Sequence, residues 1–261
     1  MKKILYTIAI IGFGWYIFAY TSTEQMEWKD ADEPQVNFQK QITSTDAAPP
    51  SAKPTEVLAK VQLIVDSMNN VPFISQAPLG RWSDIRQQDG CEEASALMAV
   101  AWARKQSLPT GNAEAEKKII AIADWEQQKY KNHNDTSVKD TAERILKGYF
   151  KFENFKVVNN ITTNDIKKEL SLGKIVIAPM HGVKLNNPNF TPPGPDHHMI
   201  VIIGYDKAKN EFITNDPGTR KGKHYRYSEK TINEAIRDYP TGHHLPVKEI
   251  KKNIIVVSKE K

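Results

Sequence analysis

The stretch GCEEASALMAVAWAR at residues 90–104 contains the only cysteine of the chain and predicts the central element of the fold. Its cysteine and apolar residues recur at helical spacing, at Cys91, Ala94, Leu97, Met98 and Ala101. Residues that recur with this period lie on one face of an α-helix. Because this face is built from small and flexible residues, we expect the helix to pack closely inside a hydrophobic core.

Helical patterns dominate the chain before residue 174, and strand patterns dominate it afterwards. The first part predicts short strands at 61–65 and 71–74, a loop at 75–90, and helices at 113–127, 138–150 and 162–172. The second part predicts strands at 174–178, 199–205, 211–214, 224–227 and 254–257, and a helix at 228–238. Residues 206–210 are expected to close a hairpin. Helices followed by antiparallel strands predict an α+β domain with two lobes.

The composition argues for one globular domain with appendages and against nucleic-acid binding. The chain has 261 residues, 39% of them hydrophobic, and a net charge of +5. A domain of this size can bury a full core. No block of Lys and Arg is interleaved with aromatic residues, so nucleic acid is not an expected partner. Nothing in the sequence indicates the oligomeric state.

The N-terminus carries an uncharged apolar run of 17 residues at 4–20, after Lys2 and Lys3. A run of this length is sufficient for a membrane-spanning helix. We interpret residues 1–20 as an uncleaved signal anchor, with a cleaved signal peptide as the alternative. The polar, proline-containing residues 21–56 are expected to form a disordered tether. The domain at 57–261 would then lie outside the cell membrane, attached by a single span, or be secreted after cleavage.

Cys91 is either an inert core residue or a reactive thiol. A single cysteine cannot form an internal disulfide. Its place at the start of a helix favours reactivity, since free N–H groups at a helix N-terminus stabilise a thiolate. Glu92 and Glu93 favour the helix start but could oppose a thiolate. Considered alone, Cys91 fits the inert interpretation somewhat better.

Two further segments carry chemistry. His197 and His198 come directly before the apolar strand at 199–205, and alternation sends their side chains to opposite faces. Asp216 follows the next strand in the turn Asp-Pro-Gly. A hairpin of these two strands would place Asp216 beside the histidine pair, where a carboxylate can orient an imidazole.

These motifs together resemble the double-glycine leader (bacteriocin-processing) peptidase family, and in particular its stand-alone relatives. The similarity lies in the Gly-Cys-Glu that opens a helix, a histidine five residues before Gly204-Tyr205-Asp206, and the Asp-Pro after the next strand. The phrase VPFISQAP at 71–78 precedes them, as it does in that family. The resemblance spans 71–218 and implies a papain-like cysteine peptidase fold, in which an N-terminal central helix packs on an antiparallel sheet.

The resemblance also implies the catalytic residues and the reaction. Cys91 corresponds to the nucleophile, and Asp216 to the acid that orients the base. His198 corresponds to the base, because it has the five-residue spacing to Gly204, whereas His197 has six. The expected reaction is hydrolysis of peptide bonds in a peptide or protein substrate through a thioester acyl-enzyme. No cofactor is expected.

A glutamine upstream of the cysteine supplies an oxyanion donor in the family. Gln76 matches the motif position but lies 15 residues before Cys91, a longer gap than expected. Gln87 and Gln88 are nearer. We favour Gln76 and keep the other two as alternatives.

Three other functions remain open. A metal site could use some of the histidines at 181, 197, 198, 243 and 244, but no His-Glu-x-x-His or paired-cysteine spacing occurs, so no metal is expected. Residues 242–244 are interpreted as a solvated loop. The same thiol could cleave cell-wall peptides, or the domain could bind peptides without catalysis. Trimming of leader peptides beside a transporter is not supported, since no phosphate-binding loop occurs. The loop at 182–196 is expected to border the cleft.

Overall fold

The computed structural model describes residues 68–261. Six strands form one antiparallel sheet in the order β1-β6-β2-β3-β4-β5. The strands are β1 (Phe155–Val158), β2 (Ile175–Met180), β3 (His198–Asp206), β4 (Glu211–Asn215), β5 (Tyr225–Ser228) and β6 (Ile254–Val257). The α-helices are α1 (Ile85–Gln88), α2 (Cys91–Ala103), α3 (Asn112–Tyr130), α4 (Val138–Asp140), α5 (Thr163–Ser171), α6 (Gly182–Leu185) and α7 (Glu229–Ala235), and a π-helix covers Thr141–Tyr149.

Hydrophobic residues pack against both faces of the sheet. Along β3, Met199, Val201 and Ile203 face the cluster that includes α2, α3 and the π-helix. Ile200 and Ile202 face the second cluster, which includes α5 and α7. This alternation follows from the two-residue period of a strand. The central strands are therefore buried on both sides, and the expected α+β class is confirmed.

Helix α2 lies entirely inside the first cluster. All 13 of its residues are buried, including Glu92 and Glu93. The expected close packing is confirmed: five of the 13 residues are alanine, and these small side chains let neighbouring elements approach the helix closely. Gly90 permits this approach, since a Cβ at that position would lie 2.6 Å from the carbonyl oxygen of Arg86.

A β-bulge interrupts the pairing of β3 with β4. Val201 pairs with Asn215 and Ile202 with Thr214, whereas Gly204 pairs with Ile213. Ile203 is therefore an extra residue on β3. The extra residue shifts the pairing of β3 with β4 by one position. Because side chains alternate between the two faces of a sheet, this shift changes which residues of the two strands lie side by side on the same face.

Most predicted elements are present, with boundaries shifted by a few residues. The predicted strand at 71–74 is wrong: this segment has no ladder, and Pro72 has no N–H to donate to one. The side chain of Asn215 holds it instead, by a 3.1 Å bond to the Val71 carbonyl. Strand β1 was not predicted. It lies half-exposed at the edge of the sheet, so hydrophobic and polar residues do not alternate clearly along it. The predicted strand at 61–65 lies outside the described residues.

Several predicted helices also differ in detail. The helix predicted at 138–150 divides into α4 and the π-helix, where Phe150 N–H bonds the Ile145 carbonyl five residues back. The predicted loops at 75–90 and 182–196 contain the short helices α1 and α6. Helices of four residues are too short to produce a periodic pattern.

The prediction of a membrane anchor, and the cell-membrane location derived from it, need correction. Among residues 68–261, no helix is long and apolar enough to cross a membrane. Helix α3 has 19 residues, but charged side chains such as Lys117, Lys118 and Asp124 interrupt it. The run at 4–20 and the tether at 21–56 lie outside the described residues. Since a run of 17 apolar residues stands at the lower limit for a span, hydropathy by itself does not establish one.

We expect Gly90→Ala to lower the free energy of unfolding by roughly 1–3 kcal/mol. The added methyl group would press on the Arg86 carbonyl and force α1 away from α2. Urea denaturation of both proteins measures the difference. Gly111→Ala is the control, because a Cβ there meets nothing within 4 Å. If the two variants were equally stable, close approach at Gly90 would not be the reason for its glycine.

Candidate active site

A buried histidine–aspartate pair lies where β3 begins and β4 ends. His198 Nε2 is 2.8 Å from Asp216 Oδ1, and both side chains are almost completely buried. This bond occupies Nε2, so Nδ1 is the nitrogen available to a thiol. A carboxylate in this position fixes the tautomer and the direction of the ring.

Asp216 is held by several donors besides His198. Tyr227 Oη donates to Asp216 Oδ2 at 2.5 Å, and the Gly218 N–H donates to Oδ1 at 3.0 Å. Asn187 in turn donates to Tyr227 Oη at 2.7 Å. Burial by itself would raise the pKa of Asp216, but the charge of His198 and these hydrogen bonds outweigh it and lower the pKa. Asp216 is therefore a charged partner for the imidazole.

The segment at 182–196 packs against the same pair. The ring of Phe190 meets the ring of His198 edge to face, with centroids 5.3 Å apart. Gly218 leaves room for both rings, since a Cβ there would lie 2.8 Å from His198 Cε1 and 2.9 Å from Phe190 Cε1. Phe190, in the loop that we expect to border the cleft, thus contacts the ring of His198.

Cys91 lies in the first turn of α2, next to the strand that carries His198. One helical turn further on, Ser95 Oγ donates to the Met199 carbonyl at 3.2 Å. The thiol itself donates to Glu92 Oε2 at 3.0 Å. Among the described residues, Sγ has no hydrogen bond to His198. Such bonds are often long or absent in proteins without bound substrate and tighten when it binds.

Acidic groups surround the thiol. Burial, then the charge and hydrogen bond of Glu92 and the charges of Asp135 and Glu93, raise the pKa of Cys91 well above its usual value. Glu92 also accepts a 2.6 Å bond from Tyr239 Oη. In this arrangement the thiol is protonated. From the sequence, we expected that Glu92 could oppose a thiolate. The structure places Glu92 in direct hydrogen-bond contact with the Cys91 thiol.

Comparison with known protein families shows the family to which the chain belongs. The sequence profile of the Peptidase_C39-like family matches residues 68–242, which is most of the described part of the chain. The chain belongs to the Peptidase_C39-like family. Comparison with curated proteins gives no match. Among solved structures, it resembles a Bacillus anthracis protein described as a C39-like peptidase, with 15% identity and a TM-score of 0.40, over 76% of this chain and 98% of that chain.

Membership of the C39-like family confirms the expectation of a peptidase-family hydrolase. The structure confirms the α+β class, with the helix that begins at Cys91 packed on an antiparallel sheet. The resemblance inferred from the sequence is thus confirmed for the family. Membership of the family does not establish specificity for double-glycine leader peptides.

In this C39-like protein, the side-chain amide of Gln76 is bonded to the backbone just before Cys91. Gln76 Nε2 donates to the backbone carbonyls of Gln87 and Gln88, at 3.0 and 2.8 Å. Its Oε1 is buried and has no hydrogen-bond partner within residues 68–261. Gln87 is buried, and Gln88 is exposed. As placed, Gln76 clamps the segment that leads into Cys91.

Sequence reasoning found His198 and Asp216 but missed the groups that support them. Tyr227, Asn187, Phe190 and Gly218 belong to no motif that we used. Tyr227 carried a weak signal, since it lies within a predicted strand of aromatic and polar residues. The contacts of Asn187 and Phe190 depend on how their loop folds, which local sequence patterns do not reveal.

Buried glutamates make the stability of the domain depend on pH. Glu126 on α3 is fully buried, and neither of its oxygens has a hydrogen-bond partner among the described residues. Burial, and then the charge of Glu92, raise the pKa of Glu126 to about 9 from its ordinary 4.5. Burial and the charge of Glu126 likewise raise the pKa of Glu93.

We therefore expect the free energy of unfolding to fall as pH rises from 4.5 to about 9. In that interval the folded state binds the Glu126 proton and the unfolded state has lost it, so stability decreases with pH. Glu126→Gln should flatten this slope, because the amide does not ionise. Denaturant unfolding across the pH range measures it, with exposed Glu114→Gln on the same helix as control. An unchanged slope in Glu126→Gln would contradict the assignment.

Proposed function

We propose that this C39-like protein hydrolyses peptide bonds with Cys91 as nucleophile, His198 as general base and Asp216 as the group that orients His198. The observation that carries the proposal is the buried 2.8 Å bond between His198 Nε2 and Asp216 Oδ1, beside the helix that begins at the only cysteine. A charged carboxylate behind a histidine next to a thiol supports nucleophilic acyl transfer.

The reaction begins when the thiol leaves Glu92 and its proton passes to His198 Nδ1. The Cys91 sulfur attacks the carbonyl carbon of the scissile bond and forms a tetrahedral intermediate. His198 then gives its proton to the leaving amine, which leaves a thioester on Cys91. Water, deprotonated by His198, attacks the thioester, and the carboxylic acid product departs as the Cys91 thiol is restored.

The substrate-bound state must stabilise an oxyanion near Cys91. The free N–H groups of the first turn of α2 are suited to this. For Gln76 we keep the role of second donor, which requires its amide to rotate away from the Gln87 and Gln88 carbonyls. A peptide carbonyl in the site would give this amide an alternative acceptor.

The main test compares variants of the full chain on a mixed peptide library, with products read by mass spectrometry. Cys91→Ala should abolish cleavage, and His198→Ala and Asp216→Asn should each lower kcat/KM by roughly 10²–10⁴-fold. His224→Ala is the matched control, since this histidine lies outside the site and should leave the rate unchanged. Cleavage that persists in Cys91→Ala would refute the thiol mechanism.

Gln76 needs its own measurement. If Gln76 is an oxyanion donor, Gln76→Ala should lower kcat by roughly 10²–10³-fold and leave KM little changed. Gln76→Glu, which keeps the size of the side chain, should also be slow because a carboxylate repels the oxyanion. If Gln76→Ala instead lowered only the unfolding free energy and left kcat intact, Gln76 would serve as a clamp alone.

One observation favours a second function, peptide binding without catalysis. The thiol is buried and bonded to Glu92, and its pKa is raised, which describes a resting group rather than a nucleophile. A peptide carrying a thiol-directed electrophile distinguishes the two, because the chain has one cysteine and labelling is unambiguous. Binding of peptides without labelling or cleavage would favour the binding module.

A further inference from the structure

Two aspartates and two histidines meet beside the start of α2, in what we call the His/Asp cluster: Asp89, Asp135, His243 and His244. His243 Nδ1 lies 3.2 Å from Asp89 Oδ2, and His244 Nδ1 lies 3.2 Å from Asp135 Oδ2. His244 Nε2 is 3.8 Å from Asp89 Oδ1. One ligating atom from each residue lies within 4.8 Å of the others.

The burial of the cluster is asymmetric. The side chains of Asp89 and Asp135 are 2% and 3% exposed, whereas those of His243 and His244 are 58% and 49% exposed. Two carboxylates removed from water need cationic partners. Within residues 68–261 their ion-pair partners are histidines. The exposed side offers an ion a path to both carboxylates.

A fifth residue points independently to a ligand here. The side chain of His197 is fully buried. Its Nδ1 lies 3.3 Å from Asp135 Oδ2 and its Nε2 lies 3.4 Å from Asp196 Oδ2, with hydrogen-bond geometry to neither among the described residues. The ring is fixed by stacking on Tyr239, with centroids 4.6 Å apart. His197 therefore packs against a carboxylate of the cluster from its buried side, the place where outer-shell neighbours of metal-binding carboxylates lie.

A second outer contact restrains the other carboxylate. Asn134 Nδ2 donates to Asp89 Oδ2 at 2.7 Å. Carboxylates that bind metals are usually held by such hydrogen bonds, which fix their orientation. The backbone N–H of His244 donates to Asp135 Oδ2 at 2.6 Å, so a hydrogen bond restrains each aspartate of the cluster.

We propose that Asp89, Asp135, His243 and His244 bind one divalent transition-metal ion of the Zn²⁺ type. Two imidazole nitrogens with two carboxylate oxygens suit Zn²⁺ and its neighbours, whereas Ca²⁺ and Mg²⁺ prefer oxygen ligands alone. Zinc bonds of about 2.0–2.2 Å place tetrahedral ligands roughly 3.3–3.6 Å apart. One ligating atom from each residue here lies within 4.8 Å of the others, so the four side chains would draw slightly closer around an ion. This proposal differs from the sequence-based expectation, which was a solvated loop at 242–244 and no metal.

The ion would join three distant parts of the chain: the segment before α2, the segment before α4, and the loop that contains His243 and His244. It would fix that loop against the start of α2 and stabilise the folded state, since a ligand that binds only the folded chain raises its stability. This role is structural and does not depend on the proposed thiol chemistry.

The test uses the untagged full chain, stripped with a chelator and dialysed against Zn²⁺. Elemental analysis should give one Zn²⁺ per chain, and Zn²⁺ should raise the thermal midpoint of unfolding. The double variant His243→Ala/His244→Ala should lower Zn²⁺ affinity by at least roughly 100-fold and lose the rise in midpoint. These two half-exposed residues are chosen because replacement of the buried aspartates could prevent folding.

Two controls separate this site from other zinc ligands. His224→Ala removes a histidine outside the cluster and should bind as the wild type does. Cys91→Ala should also retain Zn²⁺, and Co²⁺ in the wild type should show visible d–d bands without a thiolate charge-transfer band. Zn²⁺ binding that survives the double variant, or that is lost in Cys91→Ala, overturns the proposal. A wild type that binds no Zn²⁺ also overturns it, leaving only histidine–aspartate ion pairs.

Discussion

The hydrogen bond between His198 and Asp216 depends on one extra residue in β3. Val201 pairs with Asn215 and Ile202 with Thr214. This register, continued by one residue beyond β4, sets Asp216 opposite Ile200, on the same face of the sheet as His198. If the pairing of Gly204 with Ile213 continued along both strands, Asp216 would lie opposite Val201, on the face of His197. The bulge at Ile203 therefore selects which of two adjacent histidines receives the carboxylate. The two histidines then have separate environments, one with Asp216 and the other with Asp135.

Burial of polar groups around α2 is the second constraint on the site. Glu92 accepts bonds from both the Cys91 thiol and the Tyr239 hydroxyl, while Glu93 has no hydrogen-bond partner among the described residues. Buried carboxyl groups without cationic partners take up protons rather than remain charged. The start of α2 thus combines a favourable helix N-terminus with burial and acidic neighbours. Burial first, and then the contact with Glu92, raise the pKa of the thiol.

Local patterns predicted the elements whose residues face the core with a regular period. Strands β2, β3 and β6 were found because each contains three or four consecutive Val and Ile residues. Helix α2 was found because its small residues recur at helical spacing. Periodicity is weak in half-buried or short elements. The sequence therefore did not predict the edge strand β1 or the four-residue helices α1 and α6, and it merged the π-helix with α4. The extended segment at 71–74 has strand-like composition, but its contacts come from the Asn215 side chain rather than from a ladder.

The sequence by itself determined the family, the α+β class and the residues Cys91, His198 and Asp216 as candidates, because these depend on residue type, order and short-range spacing. Only the tertiary structure decided how those residues are connected. It showed that Asp216 bonds His198, that Glu92 holds the thiol, and that Gln76 bonds the Gln87 and Gln88 carbonyls. The reason is physical: a hydrogen bond is made across distances of about 3 Å between groups that are far apart in the chain, and strand register and loop packing set those distances.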